Sequence, residues 1–227
     1  MFVGHFAVAF GAKKFAPQVS LGALFLACQL ADLIWPDLVL LGIERFSIEP
    51  GATVLTPLNF EHYPYSHSLL AMSVWGILFA GAYALVSRAG ARTIAVIVAV
   101  AVSHWVLDVV THRADMPIVL SDRLRIGLGL WNRPYLAISV ELAMLAVGVW
   151  LYTRYTVARD RAGTIGLWSL VGFLVVVYLA NCFGPTPPSV AAVAWSAQAM
   201  WLLVGWAYWL DGHRRPRSWA RLSHRLT

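Results

Sequence analysis

From Thr93 to Ser103 the chain reads Thr-Ile-Ala-Val-Ile-Val-Ala-Val-Ala-Val-Ser, and it runs on without a break through His104-Trp-Val-Leu-Asp108-Val-Val-Thr-His112. A stretch of this kind is long and apolar enough for a helix crossing a bilayer, which needs about 20 residues. At 3.6 residues per turn, His104, Asp108 and His112 share one narrow face of that helix. A carboxylate at the centre of a membrane helix costs about 2.5–3.5 kcal/mol on insertion scales, so it turns from lipid toward partners. Two imidazoles and a carboxylate on one face can bind a divalent metal. The same residues also suit a hydrogen-bonded His–Asp pair that locks two helices together.

The rest of the chain repeats the apolar pattern. Of its 227 residues 59% are hydrophobic and only 12% charged, against about 25% in soluble domains. The expectation is an all-α, polytopic transmembrane helix bundle with six spans and a short N-terminal helix over 1–15. The spans fall at about 20–44, 66–87, 93–112, 135–155, 164–182 and 189–211. Pro36 lies inside the first, where a kink is expected because Asp32 loses its helical donor. Residues 1–211 form one transmembrane domain: 1–145 carry the polar residues, 164–211 supply two further spans, and 212–227 form a basic cytoplasmic tail. That tail, with basic residues around Trp219, Leu222 and Leu226, suits the anionic cytoplasmic leaflet. Lys13 and Lys14 follow the first apolar run instead of preceding it, so no cleavable leader is expected. Cys28 and Cys182 sit in separate apolar runs and read as packing residues.

Charge distribution gives orientation. Most of the 17 lysines and arginines lie at the two ends and in the loops at 88–92 and 154–161, which places both ends in the cytoplasm. The net charge of +6 is thereby explained by topology and lipid headgroups, and nucleic acid is not the expected partner. At about 1.5 Å per residue, Arg92 lies about 18 Å below His104 and about 24 Å below Asp108. On the same scale Asp32 is about 27 Å from Lys14, Glu141 about 20 Å from Arg154, and His67 about 31 Å from Arg88. Four helices thus place their ionisable residues in the same outer half of the bilayer. Unrelated helix-packing pairs have no reason to share a depth.

These residues also follow a known order. Gly4-His5, an Asp in the next helix, His62-x4-His67-Ser68 and Ser103-His104-x3-Asp108 resemble the membrane-bound metal-dependent hydrolases of the LexA-regulated inner-membrane type. Tyr63 stands where that pattern has Arg, Ser66 where it has Thr, and either Asp32 or Asp37 matches its acidic motif. The likeness covers about residues 1–145. The order of ligands is similar, more loosely, to zinc-dependent phospholipase C and P1 nuclease. That likeness implies one metal held by Asp32, His67, His104 and Asp108, and a second shared by Asp108 and His5. The likeness implies a hydrolase with Zn2+ as cofactor, one or two ions; with the charge distribution and the shared depth, the expectation is that it works at the outer face of the cytoplasmic (inner) membrane.

Ligand chemistry supports hydrolysis, because zinc with an open position brings the pKa of bound water to about 7. Glu141 is a candidate general base, and His62 and His112 are further catalytic candidates. Arg113, Arg125 and Arg133 cluster in the loop 113–134 and could grip an anionic, phosphoester or lipid-borne substrate with paired donors; ion pairs with Asp115 and Asp122 would use the same arginines. Two other function classes use the same cluster: a cation-binding transporter or channel, and a metal-stabilised membrane scaffold without turnover. The first would be expected to show internal repeats, which the sequence lacks.

Overall fold

The computed structural model describes residues 1–217; the tail residues Trp219, Arg221, Leu222, Arg225 and Leu226 lie outside it. The chain is an all-α helical membrane bundle. Among the described residues, five helices are long and apolar enough to cross a membrane, or up to six if a bent pair counts as one span. They are α5 (Leu69–Ser87), α6 (Ala91–Thr111), α7 (Pro134–Tyr155), α8 (Arg161–Phe183) and the α9–α10 element (Val190–Ala197 and Met200–Gly212). Shorter pieces come first: α1 (Val3–Ala12), α2 (Leu21–Cys28), α3 (Leu30–Leu40) and the single turn α4 (Pro64–His67).

The first expected span is two helices. The chain bends by 53° between α2 and α3, at Gln29, while Pro36 is accommodated inside α3. In an unbroken helix the Cys28 carbonyl would accept from the Asp32 N–H four residues on. Here it accepts from Nδ1 of His104, at 2.7 Å. A side chain entering the hydrogen-bond ladder is a recognised cause of a sharp bend, and nothing in the local sequence announces it.

Buried side chains of α1, α2, α6, α7, α8 and α10 share one apolar core, which includes Phe6, Phe10, Phe25, Ile97, Tyr152 and Leu170. Helix α1 lies closely along α7: a Cβ at Gly148 would collide with the backbone of Ala7, so only glycine fits there. Lys13, just past α1, reaches the Val19 carbonyl at 2.6 Å and Asp211 at 3.4 Å. Met1, at the other end of the α1 segment, is packed against Asp108.

Two expected loops carry short hairpins. β1 (Arg45–Ile48) pairs antiparallel with β2 (Leu58–His62), with an irregularity between Arg45 and Phe46. β3 (Met116–Pro117) pairs with β4 (Arg125–Ile126). Both are held over one end of the bundle by a second cluster that includes Trp35, Phe46, Phe60, Tyr63, Trp105 and Met116. Backbone bonds from Leu128 to Val109 (2.7 Å) and from Gly129 to His112 (2.6 Å) fasten the second loop to the end of α6. At the other end, β5 (Thr156–Ala158) pairs with β6 (Arg214–Pro216), tying α7 to the segment after α10.

Candidate metal centre

The bend at Gln29, the α4–α5 junction and the polar end of α6 meet at one place. Helix α6 brings His104 and Asp108, one turn apart and both buried. Asp32 comes from the first turn of α3, His67 from the last residue of α4, and His5 from α1. Ser68 follows His67 and caps α5, its hydroxyl accepting from the Ala71 N–H at 3.0 Å, which fixes where the His67 turn ends.

The expected ligands fall into two triads that share His104. In one, Asp32, His67 and His104 offer ligand atoms all within 4.8 Å of one another; in the other, His5, His104 and Asp108 do so. His67 Nε2 is 3.4 Å from Asp32 Oδ1, and His104 Nε2 is 3.9 Å from the same oxygen. His104 Nε2 is 3.1 Å from Asp108 Oδ2, and His5 Nε2 is 3.2 Å from Asp108 Oδ1. Zinc bonds of about 2.0–2.2 Å at tetrahedral angles need ligand atoms about 3.3–3.5 Å apart, so these separations are of the right size.

Hydrogen positions follow from the partners. A carbonyl can only accept, so His104 Nδ1 carries the hydrogen that binds Cys28, leaving Nε2 to face the carboxylates. That Nε2 has no hydrogen-bond partner among the described residues. On His67, Nδ1 is 2.7 Å from Ser66 Oγ, and again Nε2 faces the cluster. Both imidazoles therefore turn Nε2 toward two carboxylates. Such an arrangement repels unless a cation or added protons lie between them. The donor set fits a divalent metal, with the outer nitrogen of each ligand histidine already engaged, as in well-built metal sites.

The two triads are not equivalent. His5 stacks on His104 with ring centroids 3.8 Å apart, but its Nδ1 is buried with no partner among the described residues. Asp108 Oδ1 is already faced by the Met1 amino group and by His5. Asp32 is also the one member with appreciable access, its side chain 24% exposed against 5% or less for His67, His104 and Asp108. Because His104 has one free nitrogen, it can serve one ion only. The Asp32–His67–His104 triad is the better supported host.

Other sequence candidates lie outside both triads. Asp37 is exposed and accepts from Gln198 Nε2 at 2.6 Å, so of the two acids only Asp32 joins the cluster. His62 sits at the end of β2 and pairs with Asp122 at 2.5 Å. Partial burial pushes the Asp122 carboxyl up, but hydrogen bonds from His62 and Arg125 outweigh it and hold the group below its ordinary value. His112 lies just past α6, with Nδ1 3.0 Å from Asp115 and its ring 4.2 Å from that of Trp131. Tyr63, buried between His67 and His112, donates to Asp115 at 3.1 Å. Burial first and the Asp115 charge second push its hydroxyl well above the ordinary range, so it stays a neutral donor.

Glu141 is buried on α7, where its Oε2 accepts from the backbone N–H groups of Phe2 (2.8 Å) and Gly4 (3.2 Å). It clamps the start of α1, the helix that carries His5, and its Oε1 has no partner among the described residues. Arg113 is engaged by Asp115 at 3.3 Å and by Asn59. Arg125 pairs with Asp122 at 2.5 Å and donates to the Glu61 carbonyl. Arg133 is exposed at the start of α7.

Two features escaped sequence reasoning: the Cys28 carbonyl, whose availability depends on the bend, and Glu44, whose contacts lie more than twenty positions along the chain. A search of protein-family models, of curated proteins and of solved structures found no match to this chain.

Proposed function

We propose that the protein is an integral-membrane, metal-dependent hydrolase that binds Zn2+ in the Asp32–His67–His104 triad and acts on a lipid-borne phosphoester. The observation that carries this reading is the meeting of two imidazole Nε2 atoms and a carboxylate from three separate elements, with each Nδ1 engaged on the outer side. A triad leaves tetrahedral zinc one position short, which is the pattern of catalytic rather than purely structural sites. The resemblance of His5, His62-x4-His67 and His104-x3-Asp108 to the membrane-bound metal-dependent hydrolases points the same way.

When bound, zinc with an open position supplies a water that ionises near neutral pH. The chain's own residues have distinct tasks around it. His67 and His104 donate Nε2, and Asp32 supplies a carboxylate on the accessible side. Asp108 holds Oδ2 at 3.1 Å from His104 Nε2 without belonging to the same triad, so it is placed to accept a proton there. Geometry favours Asp108 over Glu141 for this task, because Asp108 Oδ2 lies beside a triad nitrogen while the contacts of Glu141 are with the α1 backbone. His62, partly exposed and bound to Asp122, suits contact with a substrate headgroup, whereas His112 is buried against Asp115 and braces the end of α6. Of the three candidate arginines, Arg133 has no ion pair among the described residues and is the one free in charge to meet an anion, whereas Arg113 and Arg125 are already paired.

In this reading the 113–134 side faces outward from the cytoplasmic membrane. Single cysteines placed in 113–134 should react with an impermeant thiol reagent added to intact cells, and those in 156–162 should react only after lysis. The reverse pattern would place the chemistry on the cytoplasmic face. Activity is tested on a panel of phosphoesters and phospholipids in micelles: zinc-loaded protein should release phosphate or headgroup, and chelated protein should not. Absence of turnover across the panel by fully metal-loaded protein would instead favour the metal-stabilised scaffold.

A further inference from the structure

Glu44 is 1% exposed, and no lysine or arginine pairs with it among the described residues. A buried carboxylate of this kind is tolerated only when hydrogen bonds replace its water. Its donors all come from the turn that holds His67. Oε1 accepts from the backbone N–H groups of Tyr65 (2.8 Å) and Ser66 (2.9 Å), and Oε2 accepts from the Ser66 hydroxyl (2.5 Å). Pairing of Arg45 with His62 across the β1–β2 hairpin brings Glu44 beside this turn. Since Ser66 spends its one hydrogen on Glu44, its oxygen can only accept from His67 Nδ1, at 2.7 Å.

We infer that Glu44 is a positioning residue that acts through Ser66 to fix the tautomer of His67, aiming an Nε2 lone pair into the candidate metal centre. The consequence for metal affinity rests on the reading above; the tautomer itself does not. A carboxylate is required because it offers acceptors only. In Glu44→Gln the carbonyl oxygen can still receive Tyr65 and Ser66, but the amide nitrogen then donates to Ser66 Oγ. The hydroxyl hydrogen turns toward His67, Nδ1 becomes the acceptor, and the ring proton moves to Nε2, where a metal should bind. Glu44→Gln therefore keeps the shape of the turn and reverses the direction of its hydrogen bonds.

The experiment uses the full chain, purified in micelles and metal-free, with 15N-labelled histidine. Long-range 15N–1H correlation identifies the His67 tautomer, the signal being assigned by its loss in His67→Ala. Wild type and Ser66→Thr should show Nδ1–H, Glu44→Gln should show Nε2–H, and Ser66→Ala should lose the strong preference. Titration with Zn2+ should give a Kd about 10–100-fold weaker in Glu44→Gln and Ser66→Ala, the usual cost of losing an outer-shell partner. Ser66→Thr should stay within about 3-fold of wild type, because the hydroxyl remains. If Glu44→Gln lowers thermal stability but leaves His67 as Nδ1–H and zinc affinity unchanged, Glu44 merely braces the turn and the inference fails. Should Glu44→Gln not fold, the Ser66→Ala and Ser66→Thr pair decides alone: equal tautomers and equal affinities overturn it. A tautomer switch in Glu44→Gln, together with a wild type that binds no zinc, would uphold the positioning role and remove the metal reading.

Discussion

Replacing His104 with alanine is expected to abolish zinc binding and to lower thermal stability at the same time. His104 belongs to both triads, so among the described residues no alternative set of three ligands survives its loss. The change also strips the Cys28 carbonyl of its donor and leaves Asp108 Oδ2 facing a void. Removing one partner of a buried polar pair costs roughly 3–5 kcal/mol. For a chain of this size that corresponds to a fall in Tm on the order of 10 °C. Differential scanning measurements on metal-free protein isolate this structural part, since zinc adds stability to wild type only when present. His112→Ala, by contrast, removes a side chain that lies outside both triads and should leave zinc content unchanged. If His104→Ala binds zinc as wild type does, the shared-ligand geometry has no functional meaning.

Asp108→Asn is expected to separate chemistry from binding. The asparagine keeps the volume and can still accept from the groups that face Oδ1, but it cannot take up a proton. Zinc content should stay near that of wild type while turnover falls about 100-fold or more, the scale associated with general acid–base help. Asp32→Asn should do the opposite and release the metal, since it replaces a charged ligand with a weak neutral one. Glu141→Gln retains an oxygen for the Phe2 and Gly4 N–H groups, and it should keep both metal and most of the activity. Loss of zinc in Asp108→Asn with retention in Asp32→Asn would move the ion to the His5–His104–Asp108 triad. A 100-fold loss of turnover in Glu141→Gln at full occupancy would return the proton-accepting role to α7.

Much of this site could be read before any coordinates. His104 and Asp108 are one helical turn apart, and that spacing alone sets them on a common face. Helical rise placed Asp32, His67, His104 and Asp108 at similar depth; the structure groups the first three, while Asp108 meets His104 in a second triad with His5 instead of completing one four-ligand sphere. Rise along a helix gives no azimuth for the neighbouring helix, so Asp32 and Asp37 could not be separated in this way. Only packing shows that Asp37 turns outward to Gln198. The same limit hid the role of Glu141: its depth was right, but the groups it meets are backbone donors of α1, which carry no sequence signal.

The bend at Gln29 was illegible for a different reason. Neither glycine nor proline marks it, while Pro36, the residue that should break a helix, sits inside α3. Its cause is tertiary, a histidine from α6 taking the carbonyl that the helix would have used. Glu44 is similar in kind. It follows an apolar helix in the sequence and looks like an ordinary helix-end acid, yet the hairpin returns the chain to place Ser66 on it.

Zinc content of the purified chain tests the central claim most directly. Wild type, His62→Ala, His112→Ala, Asp32→Ala, His67→Ala and His104→Ala would be prepared in the same micelles, equilibrated with equal zinc, freed of loosely bound ions and analysed by mass spectrometry. A single-ion centre in the Asp32–His67–His104 triad predicts about one zinc per chain in wild type, His62→Ala and His112→Ala. It predicts near-background zinc in the three triad variants. Background zinc in wild type, or equal zinc in all six proteins, would contradict a metal centre at this site.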